Sequence, residues 1–299
     1  MRVTNNMLQS TILKNIAASY ERLEKYQAQL STGKLYQRPS DNPAAINQSL
    51  NIKARLKDMD QRLNNINDGL AWLNTTDAAL RNAIDVFHRV RELAVRGANS
   101  TNSQSELNSL AAEVDQLLEN IINIANTTYA DRYIFAGYQT TTAPFSKNIP
   151  GPPPPEVNYN GDSGAINYEI EKGVNVQVNM NGNAVFKAPT DVFQVVADLR
   201  DHLLAGDYGA VSQDIDRVDD AMEMITNALM VVGARVNRLE LAKDKIEQDK
   251  INLSGILSNI EDADMLDVIM KLKMEENVYQ SALMTGSMAM QKSLIDFLD

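Results

Sequence analysis

The chain has 299 residues, with 28 Lys and Arg against 39 Asp and Glu and a formal net charge of -11 at pH 7. That length supports about two domains with buried cores, and the surplus of acid opposes binding to nucleic acid or to anionic membrane surfaces, which takes clustered cations. With no cysteine and only His88 and His202, disulfides, thiolate metal sites and thiol nucleophiles are excluded, and zinc or general-base chemistry has few residues to draw on.

The first 20 residues scatter Asn, Gln, Thr and Lys among the apolar positions and never form the continuous apolar run of a cleavable signal. No window approaches the roughly 18 apolar residues of a membrane span. The expectation is a soluble chain that, if it leaves the cytoplasm, does so by another route. A mostly apolar stripe then recurs at intervals of three and four through Leu13, Ile16, Tyr20, Leu23, Gln27 and Leu30, which predicts a helix closed by Gly33. Asn42 ahead of Pro43 reads as the N-cap and first residue of a second helix. Its stripe runs through Ile52, Leu56, Met59, Leu63, Ile66, Leu70, Leu73, Leu80, Ile84 and Phe87 and ends near Gly97. Ser103 with Glu106 has the capping-box spacing, and Leu107, Leu110, Val114, Leu117, Ile121 and Ile124 continue the helical rhythm after it.

Residues 140–190 have a different character. The prolines at 152–155 predict a stiff polyproline II spacer. A two-residue alternation follows, through Ile166, Tyr168 and Ile170 and then Val174, Val176, Val178 and Met180, with Glu171-Lys172-Gly173 between them. Asn-Gly pairs at 160–161 and 181–182 read as turns, so this stretch is expected to be a small antiparallel β-insertion.

Helical periodicity returns through Met222, Ile225, Leu229, Val232, Val236, Leu239, Ile246, Leu253, Leu257 and Ile260, with Lys243 and Lys250 as polar interruptions of one heptad register. A break at Glu261-Asp262-Ala263-Asp264 precedes a last helix through Val268, Leu272, Tyr279, Leu283, Met290, Leu294 and Phe297. The predicted fold is therefore mainly α, a long coiled-coil-like bundle made by the N- and C-terminal segments together, with a small central antiparallel β-domain. Residues 1–40 carry a net charge of +4 and residues 261–299 one of -5. Each end stripe is too narrow to bury itself alone, so the two end helices are expected to pack together, within one chain or between neighbours.

Catalytic and metal chemistry finds little support. His88 beside Phe87 and His202 before Gly206 read as helix-flank residues without spaced ligands, and Asp262, Asp264 and Asp267 as acids favoured at a helix start. Asn158, Asn160, Asp162 and Glu169 imitate the spacing of a calcium loop, but Asn158 replaces the usual Asp, Ser163 replaces the turn glycine, and the flanks are not helical. A hairpin turn accounts for them better. No phosphate loop or nucleophile elbow is present, so no catalytic residue, cofactor or metal is expected and the chain reads as a non-enzyme.

Several motifs carry a family resemblance. Leu30-Ser31-Thr32-Gly33-Lys34, Ser40-Asp41-Asn42-Pro43-Ala44-Ala45 and Arg89-Val90-Arg91-Glu92-Leu93-Ala94-Val95 resemble the N-terminal signature of bacterial flagellins, and Ser258-Asn259-Ile260-Glu261-Asp262-Ala263-Asp264 resembles the C-terminal one. Ala125-Asn126-Thr127-Thr128, Asp131-Arg132-Tyr133-Ile134-Phe135-Ala136-Gly137-Tyr138 and Thr142-Ala143-Pro144-Phe145 are similar to the hook-associated type 3 branch of that superfamily, the proteins of the hook-filament junction. Pro43-Ala44-Ala45 departs from many filament flagellins, which have an acidic residue and a glycine nearby.

The resemblance implies a three-layered subunit. Residues 1–40 and 262–299 would form an inner terminal-helix domain, 41–139 and 190–261 a helical rod, and 140–189 an outer β-domain. It further implies a structural adaptor of the flagellum, exported by the flagellar type III apparatus with a cytoplasmic chaperone. Such an adaptor assembles as a homo-oligomeric ring against a hook-side junction protein and flagellin. The alternatives are filament flagellin and, more distantly, a coiled-coil tip or translocator protein of a virulence secretion system. Inner-tube packing is expected from Leu13, Ile16, Tyr20, Leu23, Leu30, Leu283, Met290, Leu294 and Phe297, and rod-core packing from Leu56, Leu63, Leu70, Leu80, Leu229, Val236 and Leu239. Arg89 and Arg91 are candidate contacts between subunits.

Overall fold

The computed structural model describes residues 5–147 and 157–295. Four long helices, two from each end of the described chain, carry more than half of the residues. Helix α1 (Asn5–Thr32) is closed by Gly33, whose φ of 70° lies in the left-handed region and whose N–H donates to the Gln29 carbonyl at 2.8 Å. Helix α2 (Pro43–Gly97) begins at the proline, with the Asn42 side chain accepting from the Ala45 N–H at 3.1 Å. Helix α3 (Gln104–Ala125) starts on the capping box that Ser103 and Glu106 announce.

Six short strands follow in pairs: β1 (Thr128–Tyr129) with β2 (Arg132–Tyr133), β3 (Phe145–Lys147) with β4 (Val157–Tyr159), and β5 (Asn167–Glu171) with β6 (Val174–Gln177). Each pair is antiparallel and they remain three separate two-stranded sheets. Glu171-Lys172-Gly173 makes the β5–β6 turn as the alternation predicts, with Gly173 at φ 77°. The Asn181-Gly182 pair is not a hairpin turn: Asn181 caps the short helix α4 (Gly182–Phe186), its side chain accepting from the Asn183 N–H. Asn serves either role, and here a helix follows it. Helix α5 (Val192–Ala205) runs from its cap Asp191 to a left-handed Gly206. Helix α6 (Tyr208–Glu261) and helix α7 (Met265–Ile295) complete the fold, separated by the break at 262–264. The proline run 152–155 lies outside the described residues.

Contacts divide the chain into two compact units, Met1–Asp58 with Gln248–Asp299 and Met59–Glu247. The central unit has a continuous core. On α2 the buried column is Ile66, Leu73, Leu80 and Phe87, and on α6 it is Ile225, Val232, Leu239 and Ile246, each stepping by seven residues. Leu107, Val114, Leu118 and Ile121 of α3 and Val192, Val195, Val196, Leu199 and Leu203 of α5 belong to the same cluster. Leu118, rather than its neighbour Leu117, is fully buried, a shift of the α3 stripe by one residue. An aromatic cluster continues the core into the strand region: Phe145 lies 5.0 Å from Phe193 and 5.6 Å from Phe186 between ring centroids, and Phe135 lies 5.1 Å from Phe186. Gly69 is required by this packing, since a Cβ there would stand 3.0 Å from Val178 and 3.2 Å from Leu239.

The terminal unit is an antiparallel association of a different kind. Helices α1 and α7 pack along one another, with Tyr20 and Tyr279 rings 6.0 Å apart and Gly286 seated against Ile12 and Ile16. The opposite charges of the two ends meet within one chain: Arg22 donates to Glu275 at 2.8 Å, and Ser19 donates to the same carboxylate.

Candidate assembly surface

Helix α7 is apolar on two faces. Val268 and Leu272 are buried, and Tyr279 and Ala282 half-buried, on the face that meets α1. On the other face Leu266, Met270, Met274, Met284 and Met288 are between 62% and 74% exposed, joined by Ile269 and Val278. A helix that is apolar all round belongs in an interior, and within this chain only half of its surface has one. On α1, Ile16, Leu23 and Leu30 are half-buried, whereas Leu13 and Tyr20 are more than half exposed at the edge of the paired face. Leu283 is exposed as well. Met290 and Leu294 lie in α7 beyond the described side chains, and Phe297 lies outside the described residues.

The periodicity that marked the stripe on α7 followed the face turned to α1. The second face was legible only as a further set, Leu266, Met270, Met274, Met284 and Met288, offset from the first. Five long, unbranched or γ-branched apolar side chains, four of them Met, make a deformable contact surface.

The expected rod-core residues divide by column. Leu80 and Leu239 are fully buried, and Leu63, Leu70, Leu229 and Val236 are half-buried against the same cluster. Leu56 is half-buried in the terminal unit. Arg89 donates to Glu92 and Glu113, and Arg91 donates to both carboxylate oxygens of Asp219 at 2.6 and 3.1 Å. Both arginines therefore tie α2 to other helices of the same chain. His88 is exposed, whereas His202 meets the buried Asp214 at 2.6 Å through Nδ1, a partner twelve residues away that sequence spacing did not single out. Arg217 holds the same carboxylate at 3.0 Å, so α5 and α6 share this group.

The calcium-like residues are occupied elsewhere. Asp162 Oδ1 accepts from the N–H groups of Tyr138 and Gly164, Asn160 donates to Ser146, and Glu169 accepts from the Gly173 N–H. Asp264 caps α7, accepting from the Leu266 N–H at 3.0 Å. Among the described residues no group of three or more His, Cys, Asp or Glu is placed to hold a metal, and no helix is long and apolar enough to cross a membrane.

The best-defined polar site lies where α1 and α6 end. Glu261, the last residue of α6, accepts from Lys34, Lys53 and Ser49. Its side chain is 10% exposed while the two lysines remain 42% and 44% exposed. Burial alone would push the carboxyl up, but the three donors outweigh it and bring its pKa down to about 2. The backbone joins in: Leu35 N–H donates to the Glu261 carbonyl at 2.7 Å and Ala263 N–H to the Gly33 carbonyl at 2.8 Å, an antiparallel bridge between Lys34 and Asp262.

Long helices from both ends of the chain, small sheets between them and an exposed apolar face on α7 define a mainly helical, layered protein. The chain belongs to the bacterial flagellin family: the family's N-terminal helical region matches residues 3–140 and its C-terminal helical region residues 215–298. It is a flagellar structural protein and not an enzyme. Flagellar hook-associated protein 3 of Escherichia coli is 28% identical over 191 residues, an alignment covering 64% of this chain and 58% of that protein. The chain thus spans little more than half the length of that relative. A flagellin of Halalkalibacterium halodurans is 23% identical over 91% of this chain and 89% of its own. The flagellar junction protein FlgL from Legionella pneumophila shares the fold, with a TM-score of 0.61 at 19% identity over 72% of this chain and all of that one.

Proposed function

We propose that this chain is an adaptor of the hook-filament junction. Copies assemble as a homo-oligomeric ring that meets a hook-side junction protein on one side and flagellin on the other. The chain reaches that place unfolded through the flagellar type III apparatus, after being held by a cytoplasmic chaperone; a sequence without cysteine forms no disulfide that would obstruct such passage. Residues 1–40 and 262–299 would line the inner tube, 41–139 and 190–261 the rod around it, and 140–189 the outer surface.

The observation that carries the assembly reading is the second apolar face of α7, more than 60% exposed at five large side chains in a chain that buries the opposite face on α1. Inner-tube contacts by Leu13, Tyr20 and Leu283 follow from the same exposure. Subunit contacts by Arg89 and Arg91 would draw on guanidinium edges not already engaged with Glu92, Glu113 and Asp219. The names of the Escherichia coli and Legionella relatives favour the junction over the filament. The near-complete alignment with the Halalkalibacterium flagellin favours the second reading, a filament subunit.

A deletion strain separates them. An adaptor's loss leaves cells that shed flagellin into the medium and swim poorly, with few copies of this chain per flagellum in the parent. A filament subunit's loss removes the bulk flagellar protein itself. Normal swimming in the deletion strain would overturn both.

A further inference from the structure

The Glu261 cluster gathers two neighbouring N-terminal segments and one more than two hundred residues away in sequence. Lys34 follows α1, Ser49 and Lys53 lie near the start of α2, and Glu261 ends α6 immediately before the break that leads into α7. The Lys34–Asp262 bridge holds the two connecting links side by side, and Gln29 of α1 reaches over to the Leu35 carbonyl at 2.8 Å. Of the other acids of the link, Asp262 accepts from Ser258 at 2.6 Å and Asp264 caps α7, while the cations on Glu261 are Lys34 and Lys53. Backbone and side-chain hydrogen bonds thus tie the link after α1 to the link before α7 at this point.

The paired faces of α1 and α7 are weak by themselves. Among the described residues of the two helices, only Ser19, Gln29, Val268, Leu272 and Gly286 are buried. A two-helix contact with so little interior is marginal without a constraint that sets its register. The buried carboxylate supplies one, because removing its charge or either lysine leaves polar groups unmatched at the point where both links meet.

We propose that Glu261 is a positioning residue for assembly: its clasp with Lys34, Ser49 and Lys53 fixes α1 against α7 so that the exposed apolar residues of both helices form one composite surface. This rests on the assembly reading above, but the clasp itself is measurable in the unassembled chain. The clasp does not build the surface. It decides whether α7 presents that surface in register with α1.

The absence of native cysteine makes the test direct. In the chain carrying Ile12→Cys and Gly286→Cys, where a Cβ added at 286 would stand 3.2 Å from the Ile12 side chain across the α1–α7 contact, disulfide formation under mild oxidant should be rapid. Adding Glu261→Gln or, separately, Lys53→Met should slow it at least about tenfold. Raising salt to about 1 M should slow the otherwise unaltered pair more than the Glu261→Gln chain, because both keep the Arg22–Glu275 pair and only the former also has the ion pairs of the clasp to screen. Unaltered disulfide rates in both variants would overturn the clasp. If the rates fall as expected but Glu261→Gln chains still form rings as the parent does, the positioning role is overturned while the clasp stands. If the parent itself forms no ring, it is the assembly reading that fails, and the disulfide rates still decide the clasp.

Discussion

The central and terminal units put their helices to opposite uses. In the central unit α2 and α6 each place one heptad column wholly inside, and α3, α5 and the aromatic cluster belong to the same core. In the terminal unit two helices face each other with few buried residues, and α7 carries a second apolar face that its own chain leaves exposed. The lesson is that apolar periodicity reports a surface that needs covering without saying what covers it. In one unit the chain covers it, and in the other an apolar face of α7 stays exposed.

The contrast is sharpest under core truncation. Phe87→Ala removes a fully buried ring from the central unit and should cost about 3–5 kcal/mol in denaturant unfolding, whereas Met270→Ala, on the exposed face of α7, should leave monomer stability within about 0.5 kcal/mol and instead weaken assembly. Equal losses from the two would break the comparison.

Acid comes next in size. The carboxyl of Glu261 sits at about 2 in the folded chain, below its ordinary value of 4.5. A depressed folded pKa means that its contribution is complete above about pH 4.5 and is lost as pH falls through 2. The contribution is at most about 3 kcal/mol, and the difference in acid sensitivity between parent and Glu261→Gln should appear in hydrogen exchange of α1 and α7. Exchange of α1 and α7 that responds to acid in the same way with and without the carboxylate would remove the terminal unit's dependence on it.

Smaller effects sharpen the central unit. Ser103→Ala removes half of the α3 capping box and should cost about 1 kcal/mol, read as a lower denaturation midpoint with unchanged slope. Arg91→Ala breaks an ion pair whose two side chains are both partly exposed, and should give the smallest change in monomer stability, with any larger consequence confined to assembly.

Much of this architecture could be read along the chain because its signals are local. Gly33, the Asn42-Pro43 start, Gly97, the Ser103–Glu106 box, Gly206 and the break after Glu261 each act through the backbone of their own neighbourhood, and each marks an element boundary where the structure has one. The candidate surface was only partly legible. Leu63, Leu70, Leu229 and Val236 occupy the same seam as the buried columns but lie on its half-covered side, a distinction made by where the covering helices sit and not by the heptad itself. Asn181-Gly182 reads equally well as a turn or a helix start, and the segment that follows decides between them.

The sequence by itself determined the long helices, their ends, the opposite charge of the two termini and the absence of cysteine chemistry, since spacing, caps and composition are properties of neighbouring residues. Tertiary structure decided that α1 meets α7 within the chain, which face of α7 remains open, and that Lys34, Ser49, Lys53 and Glu261 converge. The last of these joins residues more than two hundred positions apart. No local pattern encodes that distance, and only the folded path of the chain closes it.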